Sequence, residues 1–318
     1  MINHIRQHLC DKALSHLSSR DTVLANRDNN FSNQLSKLTP EQMQFWFNDV
    51  AIDHVDALLY APTHTTAELV ETQKQLPPHG ILPSGQMLYM SSGSTGNTRV
   101  QYYYSWDAWL EFLVGCSRSM LMHGVDSSDT IMTTDVANMQ IGYRHVEDSA
   151  SIVCGAKVVR SGATSWEEKI DLIEKHSVTV LCANVTKLKR LGQLIKHPDQ
   201  VRSLRLIMQI GEHLTDEEQD LIKKQFNVDT VLNIYGSVEM GQISFNCTAG
   251  HRHIHDDLVH INTQGDKTFV SKLISIPLFN MTSSELIKYS YKGQCACGSF
   301  LSTVDEFYPR TNAINKKE

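Results

Sequence analysis

The sequence predicts an α/β protein: mostly parallel strands flanked by helices, with a small β-rich segment at the C-terminal end. Three observations carry this. Between residues 130 and 234, short runs rich in Val, Ile and Leu alternate with stretches of helical periodicity. The apolar run Met87-Leu-Tyr-Met90 leads into Ser-Ser-Gly-Ser-Thr-Gly-Asn-Thr-Arg99, a loop of glycines and hydroxyls. The segment from 246 onward holds Cys247, Cys295 and Cys297, three of the seven cysteines. The expected organisation is a helical region at 1–80 packed on the main domain, an α/β core at 81–245 and a β-rich segment at 246–318.

Taken in order, residues 1–60 place Phe45, Trp46, Phe47, Val50, Val55, Leu58 and Leu59 at helical spacing. Within them Ser36-Lys-Leu-Thr-Pro-Glu-Gln42 supplies a helix start, with Thr39 as N-cap, Pro40 in the first turn and Gln42 three residues after the cap. Val100–Ser105 has strand composition and Trp106–Met122 has helical periodicity. Strands are then predicted at 130–134, 157–159, 178–183, 204–209 and 230–234, and helices at 166–175, 185–195 and 216–225. In a parallel sheet covered on both faces, ligands bind at the carboxyl ends of strands. The loop after Met90, the pair Gly211-Glu212 and the stretch Tyr235–Glu239 each follow a predicted strand, so one cleft can gather them.

At 318 residues and 41% hydrophobic content the chain can bury a substantial core as one large domain or two smaller ones. A net charge of −6, with no long basic block, argues against nucleic acid or an anionic membrane as main partner. No secretory leader and no bilayer-length apolar run are visible, which reads as cytoplasmic. The odd number of cysteines then points to reduced thiols, and to a metal rather than a disulfide framework.

The Ser/Gly/Thr loop suits a triphosphate. Gly93 and Gly96 let backbone N–H groups approach closely, and Ser91, Ser92, Ser94 and Thr95 add hydroxyl donors. It lacks the Gly-Lys-Ser/Thr ending of a Walker loop, which argues against an ordinary P-loop NTPase. Independently, Cys247 and His253 (Cys-x5-His) followed by Cys295 and Cys297 (Cys-x-Cys) make a soft S3N donor set suited to tetrahedral zinc, with His251 and His255 competing for the nitrogen. Gly293 and Gly298 frame the second pair in a tight turn.

Read together, the loop, Ile210-Gly-Glu-His-Leu-Thr-Asp-Glu-Glu-Gln219, Asn233-Ile-Tyr-Gly-Ser-Val-Glu-Met-Gly241 and Tyr291-Lys-Gly-Gln-Cys-Ala-Cys-Gly298 resemble, in order, motifs of the adenylate-forming superfamily. That superfamily comprises acyl- and aryl-CoA synthetases, luciferases and peptide-synthetase adenylation domains, and the phenylacetate–CoA ligase branch is the most similar. The resemblance implies the superfamily's large N-terminal domain and its reaction: a substrate carboxylate attacks the α-phosphate of ATP, pyrophosphate leaves, and the acyl-adenylate passes to CoA, a carrier-protein thiol or an amine. It implies that Tyr235 stacks beside the adenine, Gly211 and Glu212 line its pocket, Gly236 gives the backbone room beside Ser237, and Glu239 binds Mg2+, a hard cation that prefers carboxylate oxygen. It also implies that the four zinc ligands hold the tail together structurally. By the same likeness the acyl pocket draws on Met139, Tyr143, His145, Asp148, Asn184 and Met208.

Two departures stand beside these matches. Where the family has Arg-Tyr-x-Thr-Gly-Asp, with an Asp that holds the ribose, this chain has Asn280-Met-Thr-Ser-Ser-Glu285, so Glu285 replaces the aspartate. The family's mobile C-terminal domain, with its catalytic lysine, is not matched, and Lys316 and Lys317 lie too near the end to stand in. The expectations are therefore that a partner protein completes the enzyme, or that Arg99, the nearest cation to the loop, serves catalysis. Two alternatives accompany the ligase reading. One is an acyl-protein synthetase-like enzyme, which needs an acceptor cysteine among Cys10, Cys116, Cys154 and Cys182; the other is a non-catalytic nucleotide- or acyl-adenylate-binding protein.

Overall fold

The computed structural model describes residues 2–75, 82–90, 99–135 and 141–308. The N-terminal helices are α1 (Ile2–Leu14), α2 (Arg20–Leu35), α3 (Pro40–Phe47) and α4 (Thr66–Gln75). The start of α3 is fixed as its residues dictate. Thr39 accepts from the Gln42 backbone, Gln42 accepts in return from the Thr39 backbone, and Pro40 occupies the first turn, where its missing N–H is of no consequence. Next come the antiparallel ribbon β1 (Met87–Met90) and β2 (Gln101–Tyr104), then α5 (Trp106–Met122), capped by Ser105.

The alternating core follows: β3 (Thr130–Thr133), α6 (Ile141–Asp148), β4 (Lys157–Arg160), α7 (Trp166–Lys175), β5 (Val180–Ala183), α8 (Val185–Leu194), β6 (Leu206–Ile210), α9 (Asp216–Phe226) and β7 (Thr230–Ser237). Helix α6, which sequence reading left out, runs on into a π-helical stretch at Ser149–Cys154 that Gly155 closes at φ +77°. The tail is all strand among the described residues: β8 (Gly241–Asn246), β9 (Arg252–Ile254), β10 (Val259–Gln264), β11 (Lys267–Lys272), β12 (Leu278–Ser283), β13 (Leu286–Ser290) and β14 (Thr303–Tyr308).

The α/β expectation holds, as a large mixed sheet flanked by helices. Nine strands lie in the order β13-β14-β9-β8-β7-β6-β5-β3-β4. The half from β7 to β4 is parallel and the half from β8 to β13 antiparallel. The ribbon β1–β2 stands apart from it, and β10–β12 form a third, antiparallel sheet. Strand β14 meets β9 through a single registered pair, Thr303 and His253.

Period-two alternation explains the layers. Ile131, Val180, Leu206 and Leu232 face one side with Cys116 and Met120 of α5, while Met132, Leu181, Ile207 and Val231 face the other with Ile170, Leu188, Leu191 and Phe226. A third apolar cluster joins Phe31, Trp46 and Phe47 of the N-terminal helices to Tyr102 and Tyr104 of β2 and Phe279 of β12. No described helix is long and apolar enough to cross a membrane.

Two imidazoles are buried neutral in this core. His16 sits against the Ala13 carbonyl at 3.0 Å, and His145 against the Phe112 carbonyl at 2.8 Å. Burial above all, helped at His16 by the charge of Arg118, pulls both down to about 3. Because the folded values lie below the unfolded ones, the unfolded chain takes up the protons first. This contribution is whole above pH 6.5 and is lost as pH falls towards 3. The unfolding free energy should drop by about 1 kcal/mol per pH unit per imidazole below pH 6. Urea titrations between pH 7.5 and 5 on wild type and His145→Gln check this, and equal slopes would remove His145 from the account.

Candidate functional site

The carboxyl ends of β6 and β7 set the geometry. Ile210 is paired with Ile234, so Gly211 and Tyr235 emerge side by side. Gly211 has φ +82°, which excludes most side chains, and open space lies where a Cβ would stand. Glu212 turns towards α8. Its carboxylate accepts from the Thr186 amide at 2.8 Å and hydroxyl at 3.0 Å, so it caps that helix. The Tyr235 ring packs edge-on against Phe307 of β14 with centroids 4.9 Å apart. Its hydroxyl is within reach of Ser283 and Glu285, and burial, followed by the Glu285 charge, pushes the phenol well above its usual range. Glu285 is itself fixed, accepting from the Ser283 hydroxyl at 2.8 Å and donating its amide back at 3.1 Å.

Strand β7 runs further than its apolar run predicted, through Ser237, and a bulge at Tyr235/Gly236 turns it into β8. Here the glycine is required by the chain itself: a Cβ at Gly236 would collide with the Gly241 carbonyl. The Ser237 hydroxyl accepts from the Met240 amide at 3.1 Å and shapes the turn that carries Glu239. Glu239 is half-buried, and no described residue hydrogen-bonds its carboxylate, which leaves both oxygens available to a hard cation. Its backbone carbonyl accepts from Lys272 at 3.4 Å. Arg99 is exposed. Ser91, Ser92, Gly93, Ser94, Thr95 and Gly96, with Met139, Lys316 and Lys317, lie outside the described residues.

The acyl-pocket candidates separate into two groups. Tyr143 and Asn184 stand near the carboxyl ends of β3 and β5. The Tyr143 ring lies under Lys187, whose ammonium pairs with Asp135, and Asn184 caps α8 by accepting from the Lys187 amide at 3.0 Å. His145, Asp148 and Met208 are interior. His145 stacks on Phe112 at 4.1 Å, Asp148 accepts from Trp109 at 2.9 Å and Arg144 at 2.8 Å, and Met208 is wholly buried in the middle of β6.

The four predicted zinc ligands come together. One donor atom each from Cys247, His253, Cys295 and Cys297 lies within 4.8 Å of all the others. Zinc bonds of about 2.3 Å to sulfur and 2.0 Å to nitrogen require tetrahedral edges of ~3.8 Å between sulfurs and ~3.5 Å between sulfur and nitrogen. Cys247 and Cys295 are 3.9 Å apart, and Cys297 lies 3.5 Å from His253 Nε2, so the donor set fits zinc. The Ser302 carbonyl, 3.3 Å from His253 Nδ1, fixes the tautomer that leaves Nε2 free to ligate. His255 is excluded by its surroundings, stacked on Phe245 and 3.1 Å from Arg118. His251 sits exposed at the rim with Nδ1 3.3 Å from Cys295. A hydrogen bond from Cys297 holds the Cys247 thiol well below its usual range.

Sequence reading missed Ser283, Phe307 and Lys272. Only Lys272 carries a signal: it is a lone charge inside the apolar stretch Thr268-Phe-Val-Ser-Lys-Leu-Ile-Ser-Ile276.

No family model matches the chain, and no curated protein matches it. Solved structures do. 2-Hydroxyisobutyryl-CoA ligase, in complex with 2-HIB-AMP and CoA in its thioesterification state, superposes with a TM-score of 0.71 at 14% identity, covering 97% of this chain and 67% of that one. The chain has a CoA-ligase fold. An open conformation of the same ligase gives 0.69 at 13% identity over 95% of this chain. An o-succinylbenzoate-CoA synthetase from Bacillus subtilis gives 0.51 at 17% identity, over 70% of this chain and 49% of the other. The chain thus spans about two thirds of the first ligase, 65% in two further structures of it, and about half of the synthetase. At these identities the likeness establishes the fold alone.

Proposed function

We propose that this chain activates a carboxylic acid with ATP, forming an acyl-adenylate and pyrophosphate, and that the acyl group then passes to a thiol, CoA or a carrier protein, or to an amine. One observation carries the reading: Gly211, Tyr235 and Glu285, far apart in sequence, converge at the carboxyl ends of β6 and β7 in a CoA-ligase fold. In this reading Tyr235 and Gly211 flank the adenine, Glu285 faces the ribose, and Glu212 holds the pocket wall by capping α8. Ser237 shapes the turn that presents Glu239. The Ser91–Gly96 stretch and Arg99 attend the phosphates, and Tyr143 and Asn184 stand nearest the acyl end. A carboxylate oxygen attacks the α-phosphorus as the bond to pyrophosphate breaks, and the protein's contribution is to align the two anions and oppose their charge. Magnesium on Glu239 would supply part of that neutralisation. Zinc held by Cys247, His253, Cys295 and Cys297 would be structural, and the Cys-x-Cys turn favours a phenylacetate–CoA ligase-like assignment.

Carboxylate-dependent pyrophosphate exchange, with hydroxamate trapping across a panel of acids, tests the reading. ATP binding with no exchange for any acid would favour a non-catalytic binder. Glu239→Gln should lower exchange about 100-fold, since a preorganised charge is lost, while melting stays unchanged. Wild-type rates at limiting magnesium would remove Glu239 from the role.

A further inference from the structure

Lys272 ends β11 inside the protein, 1% exposed, with Phe112 and Tyr104 around it. Its ammonium lies 4.2 Å over the Phe112 ring, donates to the Tyr104 hydroxyl at 3.1 Å and reaches the Glu239 carbonyl at 3.4 Å. No carboxylate among the described residues pairs with it directly; Glu239 and Glu111 attract it only through space. Burying an ammonium on two neutral acceptors is unfavourable, and a methionine would fill the same apolar space without that cost. A charge that stability alone does not favour marks a functional position.

We propose that Lys272 is the positioning residue for Glu239: its ammonium fastens the Glu239 carbonyl to Tyr104 of β2 and so fixes the direction in which the Glu239 carboxylate points. The turn at 237–240 has one other side-chain anchor among the described residues, the Ser237 hydroxyl on the Met240 amide, at its far side. Without Lys272 the Glu239 carbonyl loses its donor and the turn can rotate. The inference rests on the metal role proposed for Glu239.

The test titrates Mn2+·ATP into wild type, Lys272→Met and Lys272→Arg by electron paramagnetic resonance, alongside thermal melts. Lys272→Met should melt higher than wild type yet bind Mn2+·ATP at least about tenfold more weakly, as loss of an orienting partner does at metal sites, with part of the affinity restored in Lys272→Arg. Wild-type affinity in Lys272→Met overturns the proposal. So does weaker binding that merely accompanies a lower melting temperature, because that is core damage. Should Lys272→Met not fold, folded Lys272→Arg decides: weaker binding at unchanged melting supports the proposal, and wild-type binding overturns it. A wild type that binds Mn2+·ATP but shows no carboxylate-dependent exchange removes the ligase reading and leaves Lys272 to the binding comparison. A wild type that binds no Mn2+·ATP removes both.

Discussion

Purified protein should carry about one zinc per chain, and chelating it or replacing Cys297 by serine should lower the melting temperature by about 10 °C. The size follows from what the centre joins. Cys247 follows β8, His253 lies in β9, and Cys295 and Cys297 sit between β13 and β14, so one ion would close loops of more than forty residues. Without metal, three sulfurs and an imidazole nitrogen are crowded together, and their mutual hydrogen bonds are weak substitutes for coordinate bonds. Zinc analysis and calorimetry on the same preparation decide the matter. A metal-free protein with wild-type melting would sink the assignment.

Arg118→Met should destabilise the fold by about 3–5 kcal/mol, because it strands a buried carboxylate. Arg118 is fully buried on α5 and grips Asp257 with two bonds of 2.7 Å, donates to the Ala13 carbonyl of α1 at 2.8 Å, and touches His255. Burial pushes the Asp257 carboxyl up, but the charge and hydrogen bonds of Arg118 outweigh it and hold the group below its usual range. The double variant Arg118→Met with Asp257→Leu should recover much of the loss, since it removes both charges together. Guanidinium chloride titrations of wild type, both single variants and the double variant measure the coupling. A single variant within 1 kcal/mol of wild type would refute the role.

The sequence was legible where physics is local. The α3 cap is written in Thr39, Pro40 and Gln42, and α5 and α7 begin and end where helical periodicity places them. The parallel strands were visible because both faces are covered, which makes each a continuous apolar run. The gathering of Cys247, His253, Cys295 and Cys297 was legible because thiol and imidazole are a limited vocabulary. What failed to show was long-range. Family likeness nominated His145 and Asp148 for the acyl pocket, and spacing could not show that their partners are the Phe112 carbonyl, Trp109 and Arg144. Arg99 stood out by adjacency in the chain, whereas the cation that reaches Glu239 comes from β11. Nor could spacing show that the Ser283–Glu285 turn lies beside Tyr235, since that rests on β13 and β14 joining the edge of the large sheet.

The single registered pair between β9 and β14 makes this edge the thinnest seam in the sheet, and one of its two residues is His253, a proposed zinc ligand. Hairpin β13–β14 carries Phe307, the ring on which Tyr235 leans, near one end and the Cys295–Cys297 turn at the other. The Cys/His quartet and the aromatic contact thus sit at opposite ends of one hairpin. By reciprocity, a zinc ion proposed for the quartet and a nucleotide proposed beside Tyr235 would each tighten the other's hold by the same free energy wherever the hairpin couples them.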